Sequence, residues 1–422
     1  MPVNSEIFRI YSHLFYGSPF MMSHIYNLST KFRSLFIFNK DKRHAFLERR
    51  KTKQIRINLE NARPAHYIPV RDFNKLDVKS KSVLIVELND FHGITLPGFA
   101  NYWSQAGYQC YFLLRYENFL ERPLERLSID YNAIVGDKSQ LIKALKHKEF
   151  LNKFDFVFLN TTFVWPEPIQ PVWALVGNFP KGKKGFFVVE HNLDPYVKMF
   201  REEDLIQNGQ LFTLLGFRKT PMLFPDDIGS TSVHVKNKDL IKFICVGTIY
   251  PGNKNYSLLY DAIRAAVKAG RTNFKILIIG NGTLNDIPFD CQQYFELLGK
   301  TDYPTMYKAM EDADYYIPLL DPYNLEHHKY LNNWVTGSSI QIFGFLKPAI
   351  INYLFAKAYH LDSNNSIIYN NIYFKDAFIE AIDLSEEGYL KLVDGLNNTR
   401  NQLHDASLNI LLQHIEKTNN YD

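Results

Sequence analysis

Cysteine is scarce in this sequence. Of 422 residues only three are cysteines, Cys110, Cys245 and Cys291, and no two of them form a C-x-x-C pair. We therefore expect neither a disulfide framework nor a zinc site, and a reducing compartment is the natural setting. Long apolar runs are also missing, since none approaches the ~20 residues that cross a bilayer. The first residues include Glu6 and Arg9, where a signal peptide needs an unbroken apolar stretch. These features predict a cytoplasmic protein, with the inner face of a membrane as an alternative location.

Charge of one sign is not in large excess either. The formal net charge is +4, which gives no overall footprint for nucleic acid, so no nucleic-acid partner is expected. Ten basic residues are nevertheless concentrated between Lys31 and Arg56, against only Asp41 and Glu48. Two interpretations stay open, a solvated and partly helical surface or a peripheral contact with an anionic membrane. The apolar residues from Ile7 to Ile25, which begin at helical spacing, also have two interpretations, a helix packed on the body of the protein or a membrane contact.

The length of the chain predicts two or three domains, at about 150 residues per domain. Beyond residue 75 short apolar runs alternate with helical segments, which is the order of βαβ units. We predict an amphipathic and basic extension (1–75), an N-terminal Rossmann-like domain (76–235), a C-terminal Rossmann-like domain (236–400) and a C-terminal helix (401–422). The predicted fold class is α/β, with two Rossmann-like domains facing a cleft and an N-terminal helical, basic extension.

The predicted strands are apolar runs that end in polar or glycine-bearing loops, as buried parallel strands do. They lie at 83–86, 111–114, 156–159, 185–189, 244–246, 274–279, 295–299, 315–319 and 349–351. Open α/β sheets bind ligands at the carboxyl ends of their strands. The loops that follow these runs are therefore the candidate sites.

Glycine supplies three such loops in the second domain, at Gly247-Thr248, Gly280-Asn281-Gly282 and Gly299. A glycine lets a phosphate or a sugar approach the backbone closely, although each of these also fits an ordinary strand-ending turn. The third glycine of a dinucleotide fingerprint is missing, so the Gly-x-Gly pair by itself indicates little.

Small hydroxyl residues open an apolar helical stretch at Thr336-Gly337-Ser338-Ser339. The free N–H groups and the positive dipole end of a helix make such a terminus a diphosphate site. Ordinary capping by Thr336 or Ser338 is the alternative. Lys254 follows the Gly247 loop and is a candidate cation for the phosphates, or else a solvated lysine at a helix start.

The segment from Lys242 to Tyr353 resembles the donor-binding half of GT-B glycosyltransferases of the bacterial group-1 type. It has, in order, a Val-Gly strand end, a helix, an Ile-Ile-Gly-Asn-Gly strand end, a Leu-Gly strand, the run Ala313–Leu319, a small-residue loop and a Gly-x-x-x-Pro turn. The His92-Gly93 loop and Glu190-His191-Asn192 resemble the cleft elements of the other half. The resemblance covers roughly residues 82–400 and implies an acceptor domain followed by a donor domain.

This resemblance implies a role for each donor-side loop. Gly247, Thr248 and Lys254 would face the donor phosphates, and Thr336, Gly337, Ser338 and Ser339 would take the diphosphate. Gly280 and Asn281 would border the cleft, while Leu298 and Gly299 would hold the base through backbone groups. The sequence departs from retaining members at one point, because the residue eight positions after Glu326 is Trp334 and not a second glutamate. The stereochemistry of transfer is therefore open.

An inverting transfer needs a general base for the acceptor hydroxyl. Asp90 and His92 follow the first predicted strand and are the leading candidates. His92 is favoured as the base, and Asp90 is either the alternative base or a group that orients His92. Glu190 and His191 are the second choice. Loop hydrogen bonding is the alternative role for each of the four residues.

The predicted function is a hexosyltransferase-type glycosyltransferase that moves a sugar from a nucleotide-sugar donor to a glycolipid or polysaccharide acceptor. Two alternatives stay open, a non-catalytic GT-B-like partner of a transferase and a GT-B-fold nucleotide-sugar epimerase. Because such enzymes stabilise the leaving diphosphate with backbone dipoles and protein cations, the resemblance implies no cofactor and no essential metal.

Overall fold

The computed structural model describes residues 40–62, 64–164, 170–172, 185–192, 205–206, 208–216, 220–225, 235–250, 254–332, 334–370 and 373–420. The chain divides into two compact units, with the boundary after Ala65. In the first unit the structure describes helix α1 (Lys40–Ala62), which contains most of the basic stretch. The predicted apolar segment from Ile7 to Ile25 lies outside the described residues. Within the described part of the chain, no helix is long and apolar enough to cross a membrane.

The second unit contains a seven-stranded sheet in which every strand pair is parallel, in the order β1-β4-β3-β2-β5-β8-β9. Its strands are β1 (Tyr67–Pro69), β2 (Ser82–Glu87), β3 (Gln109–Arg115), β4 (Tyr131–Gly136), β5 (Phe156–Leu159), β8 (Phe186–Glu190) and β9 (Leu211–Thr213). The central strands are buried along their length because helices cover both faces of a parallel sheet. A short antiparallel pair, β6 (Phe163–Val164) and β7 (Gln170–Pro171), follows β5.

The helices of this first half connect strands that run in the same direction. They are α2 (Leu96–Gln105), α3 (Tyr116–Leu120), α4 (Lys138–Leu145) and α5 (Lys148–Leu151). Pro97 lies in the first turn of α2, where a missing N–H costs nothing. Asp137 and Gln140 form a capping box that begins α4.

A second parallel sheet has the order β12-β11-β10-β13. Its strands are β10 (Ile241–Val246), β11 (Phe274–Ile279), β12 (Phe295–Gly299) and β13 (Tyr315–Tyr316), and β14 (Ile350–Asn352) and β15 (Ile367–Tyr369) form a separate parallel pair. The helices of this second half are α6 (Ser257–Lys268), α7 (Tyr303–Asp312), α8 (Lys329–Asn332), α9 (Gly337–Phe345), α10 (Tyr353–Ala358) and α11 (Phe374–Asp383). The run predicted as a strand over 315–319 pairs only at its first two residues. Pro318 has no N–H to give to a ladder, and Leu319 has a φ of 55°.

The last helix, α12 (Glu386–Asn420), joins the two halves. Near its start Tyr389 donates to the backbone oxygen of Asp314 at 2.9 Å, in the second half. Further along, the Ser407 hydroxyl accepts the N–H of Phe224 at 3.0 Å, and His414 packs edge-on against Phe212 of β9. A single helix thus contributes to the cores of both halves.

The predicted fold class, two Rossmann-like α/β domains, is confirmed by these two parallel sheets. The domain boundaries differ from the predicted ones at two places. Strand β1 pairs with β4, so residues 67–75 belong with the first sheet and not with the extension. The C-terminal helix begins at Glu386 and not near residue 401, because its buried stripe already includes Tyr389, Val393 and Leu396.

Candidate functional site

A cavity of about 760 Å³ lies between the carboxyl ends of the two sheets. Its first wall comes from the loops after β2 and β8. Its second wall comes from the loops after β10, β11, β12 and β13 and from the start of α9. Open α/β sheets bind ligands in a crevice outside the carboxyl ends of their strands, and this cavity has that position. A volume of this size suits a ligand as large as a nucleotide sugar.

Most of the candidate residues from the sequence line this cavity. They are Asp90, His92, His191, Gly247, Thr248, Lys254, Gly280, Asn281, Thr336, Gly337 and Ser338. Four candidates lie outside the lining, namely Glu190, Leu298, Gly299 and Ser339. At the end of β12 the wall is formed by the next residues, Lys300, Thr301 and Asp302. A base-holding role for Leu298 and Gly299 stays a prediction.

Two imidazoles form the centre of the first wall. The rings of His92 and His191 stack with centroids 4.1 Å apart. Nε2 of His191 lies 2.7 Å from the backbone oxygen of Asn160, which fixes that ring, and burial lowers the pKa of His191 to about 4. Burial and the neighbouring His191 hold the pKa of His92 well below its usual value. Both rings are therefore neutral near pH 7.

Glu87, the last residue of β2, lies directly behind His92. Its Oε2 is 3.9 Å from Nδ1 of His92, and the carboxylate is fully buried. It accepts the N–H of Asn89 at 2.6 Å and hydrogen bonds from the side chains of Asn160 and Thr161. Desolvation outweighs these bonds and raises the pKa of Glu87 to about 7. Glu87 is not among the residues predicted from the sequence, although an acid that ends an otherwise apolar strand is a usable signal.

The two other acidic candidates, Glu190 and Asp90, lie in different surroundings. The Glu190 carboxylate is buried and accepts the N–H of Asn192 at 2.7 Å and the hydroxyl of Thr162. It therefore braces the loop after β8 and does not reach the cavity. Asp90 does line the cavity, but its carboxylate is 48% exposed and lies 4.0 Å from Arg115. Glu87 is the acid that lies 3.9 Å from the imidazole of His92, and the role of Asp90 stays a prediction.

The start of α9 forms the centre of the second wall. Thr336 is the N-cap residue, but its side chain makes no capping hydrogen bond. Next to it, Gly337 faces open space, since an added Cβ would meet no atom within 4 Å. The N–H of Ser339 donates to the backbone oxygen of Thr336 at 3.4 Å. The N–H groups of Gly337 and Ser338 have no acceptor within the helix. They are therefore available to an anion in the cavity.

The two serines of this turn have structural partners. Ser338 shares a hydrogen bond of 3.0 Å with the hydroxyl of Tyr316, which also donates to Gln341 at 2.7 Å. Ser339 is fully buried and donates to the backbone oxygen of Thr336 at 3.1 Å. The Ser339 side chain is thus occupied within the turn, and the diphosphate role predicted for Thr336 to Ser339 stays a prediction. What this turn offers a ligand is its backbone and the lining residues Thr336, Gly337 and Ser338.

Lys254 brings a buried positive charge to the same wall. Its side chain is nearly inaccessible, lies beside the thiol of Cys245, and has its Nζ 3.3 Å from the backbone oxygen of Pro318. Among the described residues, no ion pair includes it. Buried charges are normally paired. A lysine in this position is therefore available to an anionic group in the cavity.

Two contacts fix the distance between the walls. Trp334 forms an isolated antiparallel bridge with Asn192, and the N–H of Val335 donates to the backbone oxygen of His191 at 3.3 Å. Elsewhere on the rim, Lys300 pairs with Glu121 at 2.7 Å. The imidazole wall and the start of α9 are thus held in one arrangement.

Comparison with known proteins gives only distant likenesses. No family model matches the chain, and no curated protein matches it by sequence. Among solved structures, AviGT4, a glycosyltransferase involved in avilamycin A biosynthesis, overlaps at 12% identity over 79% of this chain and 98% of that one, with a TM-score of 0.46. Alr3699/HepE of Anabaena, in complex with UDP and glucose, overlaps at 12% identity over 81% and 100% of the chains, with a TM-score of 0.44. A protein of Listeria monocytogenes described as a UDP-N-acetylglucosamine 2-epimerase overlaps at 10% identity over 75% and 91%, with a TM-score of 0.46.

The class of protein is defined by the architecture itself, two parallel α/β halves with strand carboxyl ends facing a shared cleft, which is the GT-B arrangement. In the described part of the chain, no group of three or more His, Cys, Asp or Glu side chains is arranged to hold a metal ion. Independence of a metal stays a prediction.

Proposed function

We propose that this protein is a glycosyltransferase that transfers a sugar from a nucleotide diphosphate sugar to a carbohydrate acceptor. The observation that carries the proposal is the asymmetry of the cavity. One wall has backbone N–H groups and a buried lysine that pairs with no carboxylate among the described residues, and the other has two neutral imidazoles backed by a buried carboxylate. The first wall suits a diphosphate, and the second suits a hydroxyl group that must lose a proton.

The donor binds with its diphosphate at the start of α9. The N–H groups of Gly337 and Ser338 and the positive end of the helix dipole meet the phosphate oxygens. Lys254 supplies the positive charge, and the glycine loops after β10 and β11 let the donor lie close to the backbone. As the bond to the sugar breaks, charge accumulates on the leaving diphosphate. These fixed dipoles and the lysine stabilise it without a metal ion.

The acceptor hydroxyl binds against the opposite wall. His92 is neutral at working pH and takes the proton as the new bond forms. Glu87, when ionised, stabilises the imidazolium that results. With an external base of this kind the reaction inverts the configuration of the transferred sugar. The absence of a second glutamate at the Trp334 position is consistent with this outcome.

The test of donor binding uses the Lys254→Met variant, which keeps the apolar stem and removes the charge. We expect the stabilisation by UDP, GDP or dTDP, measured as a thermal shift, to fall sharply. A ligand at 100 times its dissociation constant adds about 2.7 kcal/mol to the wild type. Without ligand, the variant should be as stable as the wild type or more so, because an unpaired buried charge has been removed.

A ligand-binding role for Lys254 predicts weaker stabilisation by nucleotides and no loss of stability without ligand. A structural role predicts a loss of stability without ligand. A variant that loses stability but retains nucleotide affinity would contradict the proposal. Turnover is measured with the purified protein and a nucleotide-sugar panel. Release of nucleotide diphosphate that depends on an added glycan supports transfer. A change of the sugar with the nucleotide still attached indicates an epimerase, and no turnover indicates a non-catalytic partner.

The acceptor is proposed to be a glycolipid or a growing polysaccharide at the inner face of a membrane. Helix α1 supports this by its composition, since it carries most of the basic residues between Lys31 and Arg56. Each basic residue near an anionic bilayer contributes about 1 kcal/mol. We expect the protein to float with vesicles of anionic phosphatidylglycerol at low salt and to be released at high salt. Vesicles of neutral phosphatidylcholine are the control. An equal lack of flotation with both would leave α1 as a solvated surface helix.

A further inference from the structure

An aromatic corner in the second wall, formed by Tyr330 and Trp334, has no role in phosphate binding or proton transfer. Both side chains line the cavity, with ring centroids 6.3 Å apart and planes at 81°. The ammonium group of Lys329 lies 4.5 Å from the Trp334 ring and 5.2 Å from the Tyr330 ring. These two cation–π contacts and the backbone bond from Trp334 to Lys329 at 3.1 Å hold the corner rigid.

The aromatic corner is adjacent to both walls of the cavity. Trp334 precedes Thr336, the first residue of the diphosphate turn, by two positions. Across the cleft, Trp334 is bridged to Asn192, and its neighbour Val335 is hydrogen-bonded to His191. The corner is therefore at the junction of the diphosphate turn and the imidazole wall.

A nucleotide diphosphate sugar has its base on one side of the phosphates and its sugar on the other. Only the sugar end has to meet the acceptor wall. The part of the donor that lies at the junction of the two walls is therefore the sugar, and the base lies farther from the acceptor wall. Pyranose rings present a face of C–H groups, and an aromatic ring offers that face a matching apolar surface.

We propose that Trp334, supported by Tyr330, binds the C–H face of the donor sugar and thereby determines which donor sugars are accepted. The proposal rests on the proposed function, since it assigns the sugar subsite of the same cavity. It predicts that the corner contributes to the affinity for nucleotide sugars and not to the affinity for nucleotide diphosphates.

The experiment compares Trp334→Phe, which keeps an aromatic face, with Trp334→Leu, which keeps an apolar side chain without one. Dissociation constants are measured by calorimetry for UDP, GDP and dTDP and for UDP-glucose, UDP-N-acetylglucosamine, GDP-mannose and dTDP-rhamnose. For the donor that the wild type binds, we expect Trp334→Leu to lose about fivefold to tenfold in affinity and Trp334→Phe to stay close to wild type. The affinity for the matching nucleotide diphosphate should not change in either variant. Tyr323→Leu is the matched control, because Tyr323 is exposed and outside the cavity lining.

Fluorescence gives a second measurement that does not depend on altering the corner. The chain has four tryptophans, and Trp103 is fully buried. In a Trp165→Phe, Trp173→Phe double variant, emission comes from Trp103 and Trp334. The bound nucleotide sugar should change this emission, and the nucleotide diphosphate alone should not.

The outcomes separate the two proposals. If the wild type binds none of the nucleotides, the proposed function fails and the sugar subsite fails with it. If nucleotide diphosphates bind but Trp334→Leu weakens them as much as the nucleotide sugars, the corner binds another part of the donor. If Trp334→Leu changes neither affinity, the corner is a packing element. In both of these cases the proposed function stands and the sugar subsite is overturned.

Discussion

Replacing His92 by alanine is expected to lower the rate of sugar transfer by ~10²–10⁴-fold, the usual contribution of a general base. Affinity for the nucleotide diphosphate should stay nearly unchanged, because the phosphates are bound by the opposite wall. The imidazole is the candidate because it lines the cavity, is 19% exposed, and is kept neutral by burial. The measurements are single-turnover transfer and a nucleotide titration on the same preparation.

The pH dependence of the rate tests the arrangement behind His92. The pKa of Glu87 is raised to about 7, while burial keeps that of His92 well below its ordinary value. At a pH between these two pKa values, the imidazole of His92 is neutral and can accept a proton, while Glu87 is still protonated. As the pH rises through about 7, Glu87 ionises and can stabilise the imidazolium, so the rate should rise. In Glu87→Gln this inflection should disappear.

A matched variant for His92→Ala is His191→Phe, which keeps a stacked ring and removes the second imidazole. It should have a smaller effect on transfer than His92→Ala. Near-normal turnover of His92→Ala would place the base elsewhere or indicate a retaining enzyme that needs none. Should His191→Phe have the larger effect, His191 would be the base. Glu190 is not the next candidate, since its carboxylate does not reach the cavity.

The substitution Gly280→Ala is expected to have the largest effect on the fold of the donor wall. A Cβ at this position would lie 1.8 Å from the backbone oxygen of Gly247 and 2.7 Å from its carbonyl carbon. The clash is with backbone atoms of Gly247, whose N–H donates to the backbone oxygen of Ile279 at 2.8 Å. Because this hydrogen bond holds the backbone in place, relief of the clash costs free energy. Overpacking of this kind costs about 1–3 kcal/mol, and more where the backbone must shift. We expect a clear drop in melting temperature and loss of nucleotide binding.

Gly337→Ala is the control for this prediction. Its Cβ would meet no protein atom within 4 Å, and alanine favours a helix over glycine by roughly 1 kcal/mol in a helix interior. This variant should melt at or above the wild-type temperature. It should nevertheless bind nucleotide diphosphates more weakly, because the added methyl group enters the proposed diphosphate site. A Gly280→Ala protein that melts like the wild type would show that the strand-end loops can separate.

The strands, and the edge of the sheets at which the candidate site lies, could be predicted from the amino-acid sequence. Largely apolar runs between turns identified β5 and β11 at their observed bounds. Parallel strands are buried on both faces, so this signal needs no knowledge of the neighbours. Because parallel strands share one carboxyl edge, the residues after them were expected to meet, and eleven of the candidates line one cavity.

The tertiary structure alone decided what each of these residues can do. Strands β1 and β9 are only three residues long, and they are strands because they pair with β4 and β8. Glu87 and Glu190 both end a strand, yet only Glu87 lies behind an imidazole that faces the cavity. The bridge from Trp334 to Asn192 and the buried charge of Lys254 depend on residues far apart in the chain. Side-chain direction, desolvation and the distance between walls come from packing, whereas the hydrophobic pattern of a segment is local and can be read from the sequence.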